Sequence, residues 1–111
     1  MSRDPSSPLR MIASLDWLLH HPLRLGMMMA FAQRPHKFTE IRHLLNINPG
    51  RLSLQAHLLE SHGYLERSVH ATTGKMHATF FSVTPEGINA MRNYYQTSSE
   101  IGTELRRLCQ K

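Results

Sequence analysis

The segment that most constrains the fold of this chain spans residues 38–68 and reads FTEIRHLLNINPGRLSLQAHLLESHGYLERS. Its pattern predicts two helices, a tight turn between them and a strand after the second helix. Thr39 is expected to cap the first helix, which is short and carries its apolar residues on one side. These residues are Ile41, Leu44 and Leu45.

The second helix of this segment has clear boundaries in the sequence. Asn48 can cap it, Pro49 suits its first position and Gly63 can end it. Two short helices that share one tight turn are typical of proteins that recognise DNA sequences. A rotation of about 100° per residue then assigns the faces. It turns Leu52, Ala56 and Leu59 inward and Gly50, Ser53, Leu54, His57 and Ser61 outward, with Arg51 and Leu58 on one flank and Glu60 on the other.

Charge is unevenly distributed around this segment. The chain has a formal net charge of +5 and a sequence pI near 10.0. Between residues 20 and 57 a single acidic residue, Glu40, accompanies five lysines and arginines, namely Arg24, Arg34, Lys37, Arg42 and Arg51. A basic surface around a helix-turn-helix indicates binding to phosphate.

The regions before this segment predict two further helices. Residues 1–7 are expected to be a flexible end, and a helix capped by Ser7 should run from Pro8 to near His21. Its apolar positions are Leu9, Ile12, Leu15, Leu18 and Leu19. Pro22 should open the next helix, PLRLGMMMAFAQ, with an inward stripe of Leu23, Met27, Ala30 and Phe31.

Two strand-like runs follow Gly63 and predict a β-hairpin, or wing. They cover residues 64–71 and 76–84 and are separated by a turn at 72–75. Alternation places Leu65, Arg67 and Val69 on one face, and Thr79, Phe81 and Val83 on the inner face of the second strand, with Phe80 outward. A short extended piece at Lys37 and Phe38 is expected to pair with this wing.

A long final helix should begin at Pro85 with Thr84 as its cap. Its apolar stripe is longer than the small core can cover, so we expect part of it to pack on a second copy of the chain. The residues of the stripe are Met91, Tyr94, Ser98, Ile101, Leu105 and Leu108. The predicted dimerisation residues are Leu9, Ile12, Met91, Tyr94, Ile101, Leu105 and Leu108.

Four runs at their observed separations resemble the winged helix-turn-helix transcriptional regulators related to the MarR and ArsR types. They are LDWLLHHPLRLGMM, FTEIRHLLNINPGRLS, LESHGYLE and VTPEG, and together they cover roughly residues 15–95. The resemblance implies a dimeric transcription factor, usually a repressor, that reads DNA with the helix holding Gly50, Leu52 and Ser53. The helical angle of Leu52, however, assigns that residue to the core.

The predicted fold class is mainly α with a small β-hairpin (α+β), a winged helix-turn-helix with extra N- and C-terminal helices. Residues 8–84 would form the DNA-binding domain and residues 85–111 the dimerisation helix. The predicted DNA-binding residues are Arg34, Lys37, Thr39, Asn48, Gly50, Arg51, Ser53, Leu54, His57 and Lys75. Among them, Arg51 is expected to read a base, whereas Arg34, Lys37 and Lys75 are expected to contact phosphates.

Other function classes find little support in the sequence. The eight histidines show no metal-ligand spacing, and neither a paired-carboxylate site nor a nucleophile arrangement can be identified. We therefore expect no cofactor, no metal and no enzymatic activity. The single cysteine, Cys109, rules out an intrachain disulfide, and no apolar run could span a membrane, so a cytoplasmic protein is expected.

One alternative to DNA reading remains open. Leu54 and Leu58 are poor choices for a water-facing helix, and an outward Phe80 would need a partner that covers it. The tip of the wing carries one firm positive charge, Lys75. A winged-helix module that binds another protein would use such a surface. The expected partners are therefore double-stranded DNA and a second copy of the chain, with another protein as a possible partner.

Overall fold

The computed structural model describes residues 6–110, which form five α-helices and three β-strands. In chain order these are α1 (Ser6–Ala13), α2 (Pro22–Gln33), β1 (His36–Lys37), α3 (Phe38–Leu45), α4 (Pro49–Ser61), β2 (Leu65–Ala71), β3 (His77–Val83) and α5 (Pro85–Cys109). The predicted α+β winged helix is confirmed. Of the predicted flexible end, residues 1–5 lie outside the described residues, and so does Lys111 at the end of the predicted dimerisation helix.

The core lies between α2, α3, α4 and the sheet, and it is almost entirely apolar. Its buried members are Leu19, Met27, Met28, Phe31, Ile41, Leu52, Ala56, Leu59, Leu65 and Phe81. The inward face predicted for α4 is confirmed, and Met27 and Phe31 of α2 are buried as expected. Met28 is also fully buried because α2 is covered by both the sheet and the start of α5, so a single inward stripe underestimates its contacts.

The three strands form one antiparallel sheet in the order β1-β3-β2. Arg67 is the cross-strand partner of Phe81, and His36 of β1 pairs with Phe81 on its other side. The turn at the hairpin tip is closed by a 2.8 Å hydrogen bond from the Thr72 amide to the Met76 carbonyl, and Gly74 adopts a φ of 67° there. The predicted wing and its pairing with an extended piece are confirmed, except that Phe38 belongs to α3.

The first helix is shorter than predicted and begins earlier. It runs from Ser6 to Ala13 instead of from Pro8 to His21. The Asp16 side chain explains the early end, since its Oδ1 accepts hydrogen bonds from the amides of Leu18 (2.9 Å) and Leu19 (3.2 Å). Aspartate competes with the helix for backbone amides in this way, so residues 14–21 form a turn segment.

The first helix of the helix-turn-helix also differs from its prediction. It starts at Phe38, with Lys37 in the capping position, so Thr39 lies inside the helix and does not cap it. Ile41 is 2% exposed, but Leu44 is 75% exposed and Leu45 42%. The three apolar residues therefore do not form one buried side, because the core covers only the part of this eight-residue helix around Ile41.

The last helix begins as predicted and then extends beyond the core. Thr84 Oγ1 accepts a 3.0 Å hydrogen bond from the Gly87 amide, and Pro85 is the first helical residue. A Cβ at Gly87 would lie 2.5 Å from the Tyr64 carbonyl oxygen, so the root of α5 approaches the chain closely there. The helix has 25 residues in a molecule measuring 64 × 26 × 21 Å, and α1 packs on it.

Within residues 6–110, no helix has both the length and the apolar character that crossing a bilayer requires.

Leu52 and Leu54 of α4 provide a test of this packing. Leu52→Ala is expected to lower the free energy of unfolding by about 2–5 kcal/mol, because its fully buried side chain would leave a cavity. Leu54→Ala is the matched control, since that side chain is 56% exposed and its loss should change stability by less than about 0.5 kcal/mol. Urea denaturation followed by circular dichroism measures both, and equal losses would contradict the assignment of faces.

Candidate nucleic-acid interface

The start of α4 is built by Asn48, as the sequence predicted. Its Oδ1 accepts hydrogen bonds from the amides of Gly50 (2.8 Å) and Arg51 (3.3 Å). The cap therefore satisfies two of the free amides at the helix start and fixes the backbone around Arg51. Asn48 has a structural role here, whether or not it also contacts DNA.

The face of α4 turned away from the core is open to solvent. Residues predicted to point outward are all exposed, namely Gly50, Ser53, Leu54, His57 and Ser61, and Arg51 is exposed beside them. Leu58 is half-buried. The helix thus presents a guanidinium, an imidazole, a hydroxyl and one large apolar side chain on the same exposed surface, which are groups able to contact base edges.

Arg24 does not belong to the exposed basic surface, although the charge count placed it there. Its Nη1 donates a 2.7 Å hydrogen bond to Gln55 Oε1, and its Nε donates to the Leu18 carbonyl at 2.5 Å. Gln55 is only 9% exposed, so this contact satisfies a buried amide of α4. Arg24 therefore ties α4 to α2 and to the turn before it.

Glu40, the single acidic residue between residues 20 and 57, holds Arg34 near the start of α3. Glu40 Oε2 lies 3.5 Å from Arg34 Nη2 and accepts a 3.1 Å hydrogen bond from Nδ1 of the buried His36. The hydrogen bond from His36 is the main reason that the pKa of the Glu40 carboxyl lies below its ordinary value, with smaller contributions from the Lys37 amide and Arg34. Arg34 is exposed, but part of its charge is already balanced.

A groove of about 690 Å³ separates the helix-turn-helix from the wing. It brings together three predicted DNA-binding residues, Lys37, Thr39 and Ser53, with side chains of the hairpin. The hairpin contributes Arg67, Thr72, Thr73, Met76, His77, Ala78, Thr79 and Phe81. Basic and hydroxyl groups therefore line both sides, whereas Lys75 lies outside this lining at the exposed tip.

The wing is attached to α4 by an ion pair that the sequence reasoning missed. Arg67 donates from Nε to Glu60 Oε2 (3.1 Å) and from Nη2 to Glu60 Oε1 (2.9 Å), and its guanidinium carbon lies 5.5 Å from the centre of the Phe81 ring. The alternation pattern correctly assigned Arg67 to the face of Leu65. The pattern did not indicate that Arg67 would pair with Glu60, which lies seven residues earlier in α4.

The N-terminus of α2 lies close enough to that of α4 for their charged groups to interact. His21 Nδ1 caps α2 by accepting hydrogen bonds from the amides of Leu23 (3.2 Å) and Arg24 (3.4 Å). Partial burial, followed by the positive charges of Arg24 and Arg51, lowers the pKa of the His21 imidazole. The neutral ring, which alone can accept at Nδ1, is therefore the favoured form.

The remaining histidines do not assemble a metal site. Among residues 6–110, no group of three or more histidine, cysteine, aspartate or glutamate side chains is placed to hold a metal ion.

The His21 cap predicts a specific pH dependence of stability. The pKa of the His21 imidazole in the folded chain lies below its ordinary value of 6.5, so the unfolded chain binds the proton first as the pH falls. The stabilisation that the cap provides above pH 6.5 is therefore lost progressively below that pH. His21→Asn keeps a capping oxygen that does not titrate. Its free energy of unfolding should therefore fall less between pH 7.5 and 5.5 than that of the wild type.

His21→Ala is the control for loss of the cap and should cost about 1 kcal/mol at pH 7.5. Urea denaturation at both pH values measures all three proteins. Identical pH dependence in the wild type and His21→Asn would show that the cap does not titrate in this range.

Known proteins share the fold and the helix-turn-helix described above. Residues 23–101 match a family model described as a winged helix DNA-binding domain. The chain is similar in structure to a transcriptional regulator homologue from Pyrococcus horikoshii OT3, with a TM-score of 0.76 and 22% identity over 88% of this chain and 96% of that one. None of the curated proteins compared with this chain matches it in sequence.

Two further solved structures share the fold. A PadR-like transcriptional regulator from Bacillus cereus gives a TM-score of 0.67 at 15% identity, covering 86% of this chain and 99% of that one. The adhesin competence repressor from Streptococcus pyogenes gives 0.60 at 17% identity, covering 93% and 74%. The matched family and these three proteins are described as DNA-binding or regulatory, not as enzymes.

Proposed function

This chain belongs to the family of winged helix DNA-binding domains, and from that premise we propose that it is a dimeric, sequence-specific regulator of transcription. The observation that carries the proposal is the exposed face of α4, which starts at a well-capped N-terminus and lies next to a wing across a groove lined by basic and hydroxyl groups. The structural neighbours support regulation as the biological role, and the repressor from Streptococcus pyogenes makes repression the preferred form.

In the proposed complex, α4 enters the major groove of double-stranded DNA. Arg51 lies in the first turn of α4, where side chains reach furthest into the groove, and its guanidinium can donate two hydrogen bonds to one guanine. Ser53 and His57 follow on the exposed face, and Leu54 offers an apolar contact for a thymine methyl group. These four residues would select the sequence.

Backbone contacts would come from the two sides of α4. Lys37 and Thr39 line the groove at the start of α3, and Arg34 lies just before them. Lys75 at the wing tip would contact a phosphate further along the duplex. Such contacts fix the position of the protein but carry no sequence information.

The proposed dimer is built from the helices α1 and α5. Leu9 of α1 is 69% exposed, and Leu105 and Leu108 near the end of α5 are 55% and 38% exposed. Leu105 and Leu108 continue an apolar stripe of α5 whose inner part, around Met91 and Tyr94, packs on the core. A second copy that buries the outer part would remove this surface from water and would present two α4 helices to DNA.

A second candidate function is binding to another protein. It is favoured by the exposure of large apolar side chains on the helix-turn-helix itself, with Leu44 at 75% and Leu54 at 56%. Salt separates the two candidates, because DNA binding through phosphate contacts weakens steeply as salt rises, whereas an apolar protein interface does not. Wild-type protein that shows no salt-dependent binding to duplex DNA would favour this second function.

Arg51 and Arg34 provide a matched test of sequence reading. Arg51→Ala is expected to cost about 1–3 kcal/mol on the specific site and to relax the preference at one base pair. Arg34→Ala should weaken specific and random DNA equally, and only modestly because Glu40 already pairs with it. Fluorescence anisotropy on a selected site and on random duplexes measures both. An unchanged ratio of specific to random affinity in Arg51→Ala would show that Arg51 does not read a base.

The dimer interface is tested at the end of α5. The double substitution Leu105→Glu and Leu108→Glu should convert a dimer to a monomer in multi-angle light scattering at micromolar concentration, because it places charges in the proposed apolar contact. Thr103→Glu is the control on the opposite side of the helix and should remain dimeric. Wild-type protein that is already monomeric under these conditions would contradict the proposed dimer.

A further inference from the structure

The wing is supported by the core at its root alone. Leu65 at the start of β2 is 2% exposed and Phe81 of β3 is 3% exposed, whereas every residue from Glu66 to His77 is exposed. The groove between α4 and the hairpin separates the outer part of the wing from the helix-turn-helix. The direction of the hairpin must therefore be set by contacts near its root.

One contact at this root joins three elements. Glu60 lies in the last turn of α4, Arg67 in β2 and Phe81 in β3. The two hydrogen bonds between Arg67 and Glu60 fix both planar groups, and the Phe81 ring lies against the guanidinium. We call these three residues the wing clamp.

We propose that the wing clamp positions the wing relative to α4, so that Lys75 at the hairpin tip reaches a DNA phosphate while α4 occupies the major groove. This inference rests on the proposed DNA-binding function. Arg67 and Glu60 are positioning residues in it, since their charged groups bind each other and act on DNA through Lys75. A rotation at the root is amplified along the exposed hairpin, which gives a single ion pair control over a contact at the tip.

The charge of Glu60 makes this inference distinct from simple electrostatics. A carboxylate on the proposed DNA-reading helix repels phosphate, so charge alone predicts that its removal tightens DNA binding. The wing clamp predicts the opposite, because an uncharged partner releases the guanidinium and frees the wing. The side chains of Arg67 and Glu60 are 50% and 28% exposed, and a pair with this much solvent contact contributes little to global stability.

The test uses Glu60→Gln and Arg67→Lys in the full chain. Both remove the two-bond geometry, but the first adds one net positive charge and the second leaves the charge unchanged. Each variant is combined with Lys75→Ala, and affinity for one duplex is measured by anisotropy over a range of salt concentrations. Thermal unfolding monitors global stability, and hydrogen exchange of the amides of residues 68–77 reports the mobility of the wing without DNA.

We expect both variants to bind DNA about three- to tenfold more weakly with little change in melting temperature. Lys75→Ala should lower the salt slope by about one unit in the wild type and leave it unchanged in either variant. Exchange at the wing amides should become faster in both variants. A merely structural ion pair would leave the effect of Lys75→Ala on the salt slope undiminished in both variants.

Tighter or equal binding by Glu60→Gln, or an undiminished effect of Lys75→Ala in that background, would overturn the wing clamp while leaving DNA binding intact. Wild-type protein that lacks salt-dependent DNA binding would instead overturn the proposed function together with the role of Lys75. In that case, faster wing exchange in the variants would still support the clamp as the contact that orients the hairpin, and unchanged exchange would overturn it.

Discussion

The rotation of α4 about its own axis is the constraint on which the rest of this structure depends. Leu52, Ala56 and Leu59 are removed from water on one side of the helix. A shift by one residue in either direction would replace at least two of them by polar side chains. Gln55 adds a directional contact through its hydrogen bond to Arg24. The apolar contacts supply most of the stabilisation, and the polar contact selects one rotation among those that the core could accept.

The predictions from sequence were most accurate where the chemistry is local. Asn48 and Thr84 each cap the helix that follows within three residues, and Gly63 and Gly74 adopt the positive φ values that turns require. These features depend on neighbours along the chain, so the sequence contains nearly all the information that determines them. The boundaries of α4 and the start of α5 follow from them.

One local prediction failed, since Thr39 lies inside α3 and does not cap it. Most other errors and omissions arise where a side chain has partners far along the chain. Asp16 ends α1 early because its carboxylate accepts hydrogen bonds from two backbone amides, those of Leu18 and Leu19. It also accepts a 2.5 Å hydrogen bond from the hydroxyl of Tyr64, which is far along the chain. Arg24 and Arg67 likewise find partners on other elements. Periodicity reports which face of a helix or strand is apolar, but it contains no information on these long-range pairs. The sequence therefore predicts which residues lie on the exposed surface of the site, but not which of its side chains contact each other.

The direction of the long α5 helix is set at its base, where Gly87 packs closely against the Tyr64 carbonyl. At about 1.5 Å per residue, a helix of this length displaces its far end by about 3 Å when its base turns by about 5°. In the proposed dimer, the distance between the two α4 helices must match one turn of DNA. A one-methyl enlargement at Gly87 would force the base of α5 to shift away from the Tyr64 carbonyl. In the proposed dimer, that shift would change the distance between the two α4 helices, so that the pair no longer fits the pitch of the duplex.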